Sequence, residues 1–389
     1  MLTVDDHPHV VSSGRRVRRP AATFRRSPHL VAYWRNGSLR ICNYATNHTV
    51  TAGHLVCELL DFCNDWRSID DITGGLSSGP SPHISALVEK LVSLSLLERS
   101  DLSADRRVQA MDRLGPWNPE AGFFHTATRD VAFSSPQKAA RYRRQARIRQ
   151  SRPAAVKRYP GVERIDLPRP DAVGEFPRVL LARRTWRRYS STPVRLDELA
   201  TILGLTAGVQ HWVQADGHLA PLKTFPSGGA RHAIECYVVA RKVQGLKAGI
   251  YHYASDRHSL ERLRGPVPVR RLRAYMPTSG YFANASAMVL FTAVFERILW
   301  RYPYSRAYRA ALVEAGHACQ TFCLTATWRG LAPYCIMGLA DSLIEQDLGI
   351  DGITESVLYA AGVGRRPRGA AWAALPKGPN PRVRKNPRL

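Results

Sequence analysis

Two stretches decide how this chain is interpreted: RRTWRRY at residues 183–189 and PSGGARH at residues 226–232. The first places four guanidinium groups and one hydroxyl within six residues. Paired guanidinium N–H donors bind phosphate, and a Gly-Gly turn lets main-chain N–H groups approach a planar ligand closely. Together the stretches predict a site for a flat molecule that carries a phosphate, whereas an arginine cluster alone would fit a solvated face equally well.

A third stretch, GLKAGIYHY at residues 245–253, completes a longer pattern. The order RR[ST]xRx[YF], PSGG and GLxxGxYxY resembles the FMN-dependent nitroreductase superfamily. Within it the pattern is most similar to the SagB-type dehydrogenases, the azoline oxidases that form thiazoles and oxazoles in peptide natural products. The resemblance runs from about residue 178 to residue 366, with FFH at residues 123–125 as a weaker upstream match. It implies an α+β, nitroreductase-like, FMN-binding fold whose long central helix packs in a homodimer.

The resemblance also implies which residues hold FMN. The first stretch would bind the phosphate and ribitol through Arg183, Arg184, Thr185 and Arg187. The turn, supplied by the partner subunit of the homodimer, would lie against the isoalloxazine ring through Pro226, Ser227, Gly228 and Gly229. A basic residue near the C-terminus would return to the phosphate, and the sequence does not decide between Arg365 and Arg366.

The segment WRYPYSRAYR at residues 300–309 resembles the Lys-Tyr pair and Arg-x-Tyr-Arg signature of the same family. There the Lys-Tyr pair is associated with removal of a ring proton as hydride leaves for flavin N5. Here the lysine position holds Arg301, which is effectively never deprotonated and so cannot be the base. It can stabilise a nearby phenolate or enolate-like charge. We therefore predict that Tyr302 is the acid/base and Arg301 its electrostatic helper, the alternative being a structural Tyr-Arg pair at a helix start.

Composition restricts the partners only loosely. The net charge of +25 favours anionic partners, including nucleic acid, but arginine is spread along the whole chain and names none of them. No run of eighteen apolar residues occurs and the N-terminus carries no signal-peptide core, which predicts a cytoplasmic protein without a membrane partner. Seven scattered cysteines fit reduced thiols.

A metal site is not predicted. Cys319 and Cys323 are one helical turn apart and Cys335 follows, which is suggestive. However, zinc would require a fourth ligand at a firm spacing, and none is evident. Packing of these cysteines in the core is the favoured interpretation.

The predicted organisation has five segments. They are a disordered basic N-terminus over 1–28, a winged-helix-like domain over 29–100, a linker over 101–177, the catalytic domain over 178–375 and a basic tail over 376–389. The catalytic domain is predicted to contain helices near 196–205 and 305–329 and strands at 234–239, 251–253, 287–294 and 357–363. The linker prediction depends on several prolines between residues 153 and 170.

The winged-helix-like segment begins with two apolar stretches joined at Asn36-Gly37, a strong hairpin signal. Three helical patterns follow, the third starting at Ser81-Pro82. Such a unit could bind DNA, grip the leader peptide of a substrate, or be purely structural. The pattern at 84–97 offers few polar side chains to a major groove, so nucleic-acid binding is the least favoured role.

The resemblance implies FMN-dependent oxidation of thiazoline or oxazoline rings to thiazoles or oxazoles, with hydride transfer to FMN N5 and reoxidation by O2. The substrate would be an azoline-containing ribosomal peptide or a carrier-bound nonribosomal intermediate. The partner would be a cyclodehydratase or an assembly line. Three alternatives stay open: a nitro or quinone reductase, a non-catalytic FMN-binding scaffold, which Arg301 in place of lysine favours, and a nucleic-acid-binding winged-helix protein.

Overall fold

The computed structural model describes residues 21–77, 83–130, 160–215 and 217–369, with residues 137, 141, 144, 145, 156 and 157 between them. The chain divides into two compact units, Met1–Asp105 and Arg106–Leu389. Among the residues described, no helix is both long enough and apolar enough to cross a membrane. The predicted tail over 376–389 and the predicted helix start at Ser81-Pro82 lie outside the described residues.

The first unit combines two small antiparallel sheets with three helices. The sheets have the strand orders β5-β1-β6 and β2-β3-β4. The elements are β1 (Thr23–Arg26), β2 (Leu30–Arg35), β3 (Ser38–Asn43), β4 (His48–Thr51), α1 (His54–Phe62), β5 (Arg67–Ser68), α2 (Ile69–Gly75), α3 (Ile84–Ser93) and β6 (Leu97–Arg99). The strand β1 lies inside the segment predicted to be disordered, because its partners β5 and β6 come from far along the chain.

Local signals explain much of this unit. Asn36 and Gly37 both have positive φ, and β2 and β3 pair across them, which confirms the predicted hairpin. A capping box between Ser68 and Asp71 starts α2. The apolar faces of the helices meet in one core, whose fully buried members include Leu59, Ile72, Ile84 and Val88.

The second unit is built on a six-stranded antiparallel sheet with the order β13-β12-β10-β14-β16-β15. Its strands are β7 (Val194–Arg195), β8 (His211–Ala215), β9 (His218–Leu222), β10 (Ile234–Ala240), β11 (Val243–Gln244), β12 (Gly249–Ala254), β13 (Ser259–Arg264), β14 (Ala287–Val294), β15 (Ala332–Ile336) and β16 (Glu355–Gly364). Its helices are α4 (Arg106–Asp112), α5 (Pro119–Ala127), α6 (Glu175–Ala182), α7 (Leu196–Ala207), α8 (Val269–Tyr275), α9 (Phe295–Leu299), α10 (Ala307–Trp328) and α11 (Asp341–Leu348).

The 22-residue helix α10 packs against this sheet and against α7. One face of α10 is buried at Ala315, Cys319, Phe322 and Ala326. Leu312, at the N-terminal end of that face, is 37% exposed. The helix therefore shows apolar surface at its N-terminal half as well as burying a face.

The predicted linker is wrong for residues 106–127, which form α4 and α5. The Asn118 side chain accepts the Ala121 N–H, and Pro119 occupies the first turn of α5, where proline favours the start of a helix. Ser305, in the loop before α10, donates to Oδ1 of Asn118 at 2.6 Å. These helices thus belong to the second unit, and α6 likewise begins at Glu175, before the predicted domain start.

Candidate active site

The Gly-Gly turn is fixed by contacts with α10. The Ser227 hydroxyl donates to Oε2 of Glu314 at 2.6 Å and accepts the His232 N–H at 2.8 Å. Glu314 is buried, its Oε1 accepts the Ile234 N–H, and burial raises its pKa. His317 on α10 is exposed and hydrogen-bonds the Pro226 carbonyl at 3.3 Å.

The exposed part of the turn presents main-chain donors. Gly229 has a φ of +59°, a conformation that glycine adopts without the cost of a Cβ. The N–H groups of Gly228 and Gly229 donate to no acceptor in the part of the chain that the structure describes. Because the Ser227 hydroxyl proton is used by Glu314, the turn offers a ligand its backbone N–H groups rather than that hydroxyl.

The predicted catalytic pair lies directly against this turn. A Cβ atom at Gly229 would lie 2.5 Å from Cδ of Arg301 and 3.2 Å from Oη of Tyr302. At Gly228 it would lie 3.4 Å from Cε2 of Tyr302. The Arg301 guanidinium carbon is 5.8 Å from the centre of the Tyr302 ring. Two segments about seventy residues apart therefore meet at one place, and only glycine leaves room for the contact.

Beside the turn a cavity of about 360 Å³ is open to a ligand. Its lining consists of Gly228, Tyr302, Tyr304, Arg306, Ala307, Arg309, Ala310 and Val313. A second cavity of about 530 Å³ shares Arg306 and Arg309 with it and is also lined by Phe124, from the FFH motif. Tyr302 and Gly228 thus line space large enough for a ring and part of a peptide.

The arginine-rich stretch is anchored between α6 and the sheet. The Trp186 N–H donates to the Pro333 carbonyl at 2.9 Å, its indole is buried, and the Ser190 N–H donates to the Arg365 carbonyl at 2.9 Å. Tyr189 donates its hydroxyl to the Trp186 carbonyl. These bonds hold the stretch next to the ends of β15 and β16.

Three of the predicted phosphate ligands are unengaged. Arg183, Thr185 and Arg187 are half-buried, and their side chains make no hydrogen bond or ion pair with the described residues. Alternate residues of an extended chain point to the same side, so these three can face one ligand. Half-buried guanidinium groups without partners fit an anionic ligand, since a desolvated charge is otherwise uncompensated.

The other three predicted phosphate ligands already have protein acceptors. Arg184 donates to the Leu181 and Arg183 carbonyls at the end of α6. Arg365 pairs with the buried Glu198 at 2.6 Å. Arg366 donates to the Leu331 carbonyl and stacks 5.2 Å above the Trp186 ring. The choice between Arg365 and Arg366 as a phosphate ligand therefore stays open.

His125, in the FFH motif, is a buried core residue rather than a free base. Its Nε2 donates to the Gly352 carbonyl at 2.9 Å, which leaves Nδ1 to accept the Tyr308 hydroxyl at 3.2 Å. Trp117, Phe295 and Tyr308 surround the ring edge to face. Burial lowers the pKa of His125 to about 4.

This shift predicts loss of stability in acid. Between pH 6.5 and 4 the unfolded chain binds a proton at His125 that the folded chain excludes, so the free energy of unfolding falls as pH falls, by up to ~1.4 kcal/mol per pH unit. Urea unfolding at pH 7 and pH 5 should therefore differ less for His125→Gln than for the wild type. His211→Gln, at an exposed histidine, should keep the wild-type difference. Equal pH dependence in all three proteins would contradict the assignment.

One set of polar residues was missed by the sequence analysis. A cavity of about 620 Å³ at the end of the turn is lined by charged or titratable side chains that include Lys223, His232, Glu235, His252 and Arg297. Hydrogen bonds to Glu235 and Glu261 raise the pKa of His252 to about 9, and burial lowers the pKa of Lys223. No contiguous sequence motif predicts this set of residues, because its members come from strands, helices and loops that are separate in the sequence.

Comparison with known proteins agrees with this architecture. The model of the nitroreductase family matches residues 180–365. A putative nitroreductase of Methanocaldococcus jannaschii is 33% identical over 188 residues, which cover 48% of this chain and 89% of that protein. The chain belongs to the nitroreductase family, whose members are oxidoreductases that generally bind FMN. The predicted α+β nitroreductase fold with a small N-terminal domain of strands and helices is thereby confirmed.

Two further similarities concern a trifolitoxin-processing protein and a microcin synthetase. The trifolitoxin-processing protein of Rhizobium leguminosarum bv. trifolii is 32% identical over 144 residues, covering 36% of this chain and 38% of that protein. The chain thus matches well under half the length of that relative. A solved structure of the Escherichia coli microcin synthetase complex with truncated pro-microcin bound matches with a TM-score of 0.47 and 19% identity, over 69% of this chain and 99% of that chain.

Proposed function

We propose that this protein is an FMN-dependent oxidoreductase that oxidises thiazoline or oxazoline rings in a peptide to thiazoles or oxazoles. The observation that carries the proposal is the contact of Arg301 and Tyr302 with a Gly-Gly turn that has two free N–H donors. Tyr302, the proposed proton acceptor, and Gly228 of the turn then line one cavity. The similarity to a trifolitoxin-processing protein supports a peptide substrate.

The residues present fit FMN. The phosphate carries two negative charges near neutral pH, and Arg183, Thr185 and Arg187 supply unengaged donors for its oxygens. The N–H groups of Gly228 and Gly229 are suited to the polar edge of the ring. The chain would therefore bind the cofactor through two separate clusters, one for each end of the molecule.

These two clusters are far apart within one chain. The turn is tied to α10 at Glu314, whereas Arg366, next to the arginine-rich stretch, donates to the Thr327 carbonyl near the other end of the helix. Thirteen residues of α-helix span about 20 Å. In a two-fold dimer with antiparallel copies of α10, the N-terminal half of one helix would lie beside the C-terminal half of the other. The exposed apolar residues of α10, Leu312, Val313 and Trp328, are available for that interface.

We therefore infer a homodimer that holds FMN between the arginine-rich stretch of one protomer and the turn of its partner. Bound FMN would supply the two-electron acceptor, which oxygen restores. Tyr302, as its phenolate, would take the ring proton on its oxygen and become the phenol, and Arg301, always charged, would stabilise that phenolate before the transfer. The turn would orient the isoalloxazine ring for the reaction, and the side chains around Tyr302 would exclude solvent from the reacting ring of the substrate.

The alternatives make different use of the same residues. A nitro or quinone reductase needs FMN but no base against the turn, and a scaffold needs neither turnover nor Tyr302. A leader-peptide grip for the first unit fits a peptide substrate, and a cyclodehydratase or assembly-line partner would supply the azoline. Nucleic-acid binding is favoured by net charge alone.

Substitution of Arg187 tests cofactor binding, and the adjacent Arg188 provides the control. Arg187→Ala should raise the Kd for FMN roughly 10- to 100-fold, because it removes a charge-assisted hydrogen bond to the phosphate. Arg188→Ala, at the exposed adjacent arginine, should leave the Kd within about twofold, which fluorescence quenching of titrated FMN would measure. Equal effects of the two substitutions would count against the assignment and favour a general charge effect.

Subunit mixing tests the interface. Arg183→Ala/Arg187→Ala protein and Tyr302→Phe protein should each be nearly inactive at limiting FMN. Unfolding them together and refolding the mixture should restore about a quarter of the wild-type rate, because half of the dimers then contain one intact site of two. If both clusters served one site in the same chain, the mixture would recover no activity.

A further inference from the structure

Three cysteines converge where α10 meets β15. Cys319 and Cys323 lie one turn apart on α10, Cys335 lies on β15, and the three Sγ atoms are all within 4.8 Å of one another. Among the described residues this is the single group of three or more cysteine, histidine or acidic side chains with metal-ligand spacing. All seven cysteines of the chain are free thiols. The sequence spacing favoured core packing because it did not reveal that Cys335 returns to the helix.

The arrangement matches the geometry that a thiophilic cation requires. Zinc binds thiolates at about 2.3 Å in a tetrahedron, which places the sulfur atoms about 3.8 Å from one another. To bind an ion together, the three Sγ atoms therefore need to approach one another by no more than about 1 Å. Cys319 and Cys323 are buried, while Cys335 is half-buried and leaves the triangle approachable.

The fourth position also has a candidate ligand. The Tyr359 hydroxyl lies within hydrogen-bond reach of Cys335, beside the three sulfur atoms. The thiolate is the form that binds metal. Three thiolates around Zn²⁺ leave one net negative charge, which suits a neutral fourth ligand.

We propose that Cys319, Cys323 and Cys335 form a zinc-binding site that links α10 to β15, with a fourth position for water or the Tyr359 hydroxyl. Soft thiolate ligands select d¹⁰ cations such as Zn²⁺ over Mg²⁺ or Mn²⁺. The site makes no use of FMN and does not rest on the proposed oxidation.

The first experiment measures zinc in protein that is purified without chelators from zinc-supplemented cells. The full-length wild type should contain about one zinc per chain, since three thiolates with one open position bind a single ion. Cys335→Ser and Cys319→Ser should each reduce the content at least roughly tenfold, because two remaining thiolates bind zinc weakly. Cys236→Ser is the matched control, since Cys236 is as buried as Cys319 but lies on β10 outside the cluster. Equal zinc in the Cys335→Ser and Cys236→Ser proteins would overturn the proposal.

A second measurement uses only the wild-type protein, so it does not depend on whether a cysteine variant folds. The wild type, reduced and stripped of metal, is titrated with Co²⁺, whose tetrahedral thiolate complexes absorb strongly at wavelengths beyond the flavin bands. Saturation at one Co²⁺ per chain, reversed by Zn²⁺, is the expected result. Reduced protein that develops no such bands would overturn the proposal and leave the cluster as core packing.

Discussion

Replacing Tyr302 with phenylalanine is expected to lower kcat for azoline oxidation by roughly 10²–10⁴-fold, the range that a general acid/base contributes. The substitution removes one oxygen and keeps the ring that contacts Gly228, so FMN content and thermal stability should stay close to wild type. The readouts are conversion of a synthetic thiazoline peptide, followed by mass spectrometry, and the flavin content of the same preparation.

The same variant separates the rival functions. A nitro or quinone reductase has no ring proton to remove, so Tyr302→Phe should leave reduction of a nitroaromatic or a quinone nearly unchanged. Tyr304→Phe is the matched control, because Tyr304 lines the same cavity without contacting the Gly-Gly turn. If Tyr302→Phe and Tyr304→Phe oxidise the thiazoline peptide as fast as the wild type, Tyr302 is not the base.

Gly229→Ala is expected to reduce azoline oxidation roughly 10²-fold through geometry alone. The new methyl group would lie 2.5 Å from Cδ of Arg301 and 3.2 Å from Oη of Tyr302, so both side chains must move. The N–H group of residue 229 remains, and FMN binding should weaken only slightly. Initial rates and FMN affinity measured on one preparation separate the two effects.

Gly217→Ala controls for backbone strain. Gly217 has a φ of +76°, comparable to the +59° of Gly229, but a Cβ there would meet no atom within 4 Å. Both substitutions should cost about 1 kcal/mol of stability. Gly217→Ala should retain full activity, and similar losses of activity in the two variants would contradict the proposed contact.

Apolar periodicity predicted the central elements closely. The strand predicted over 287–294 is β14, Ala287–Val294, and the long helix predicted near 305–329 is α10, Ala307–Trp328. Both are continuous apolar or amphipathic runs that the sheet and core bury on the expected faces. The sequence did not predict α4 and α5, because prolines between residues 153 and 170 led to the prediction of one continuous linker. The helix-start signal at Asn118 and Pro119 indicates α5 locally.

The candidate site was only partly accessible from sequence. The motifs identified the turn and the Arg301-Tyr302 pair separately, but their contact depends on Glu314 and His317 fastening the turn to α10. Six residues were predicted to bind the FMN phosphate. In the folded chain, the guanidinium groups of three of them already donate hydrogen bonds to protein acceptors. Which side chains remain free for a ligand is a property of tertiary structure that spacing does not encode.

The most direct test of the account is a single-turnover reaction in the absence of oxygen. Purified protein is mixed with a synthetic peptide that contains one cysteine-derived thiazoline, while the visible flavin absorbance and the peptide mass are followed. The account predicts a yellow protein that releases FMN on denaturation, bleaches as one thiazole forms per flavin, and regains its colour in air. A colourless protein that takes up no FMN, or a flavin that stays oxidised beside unchanged peptide, would contradict it.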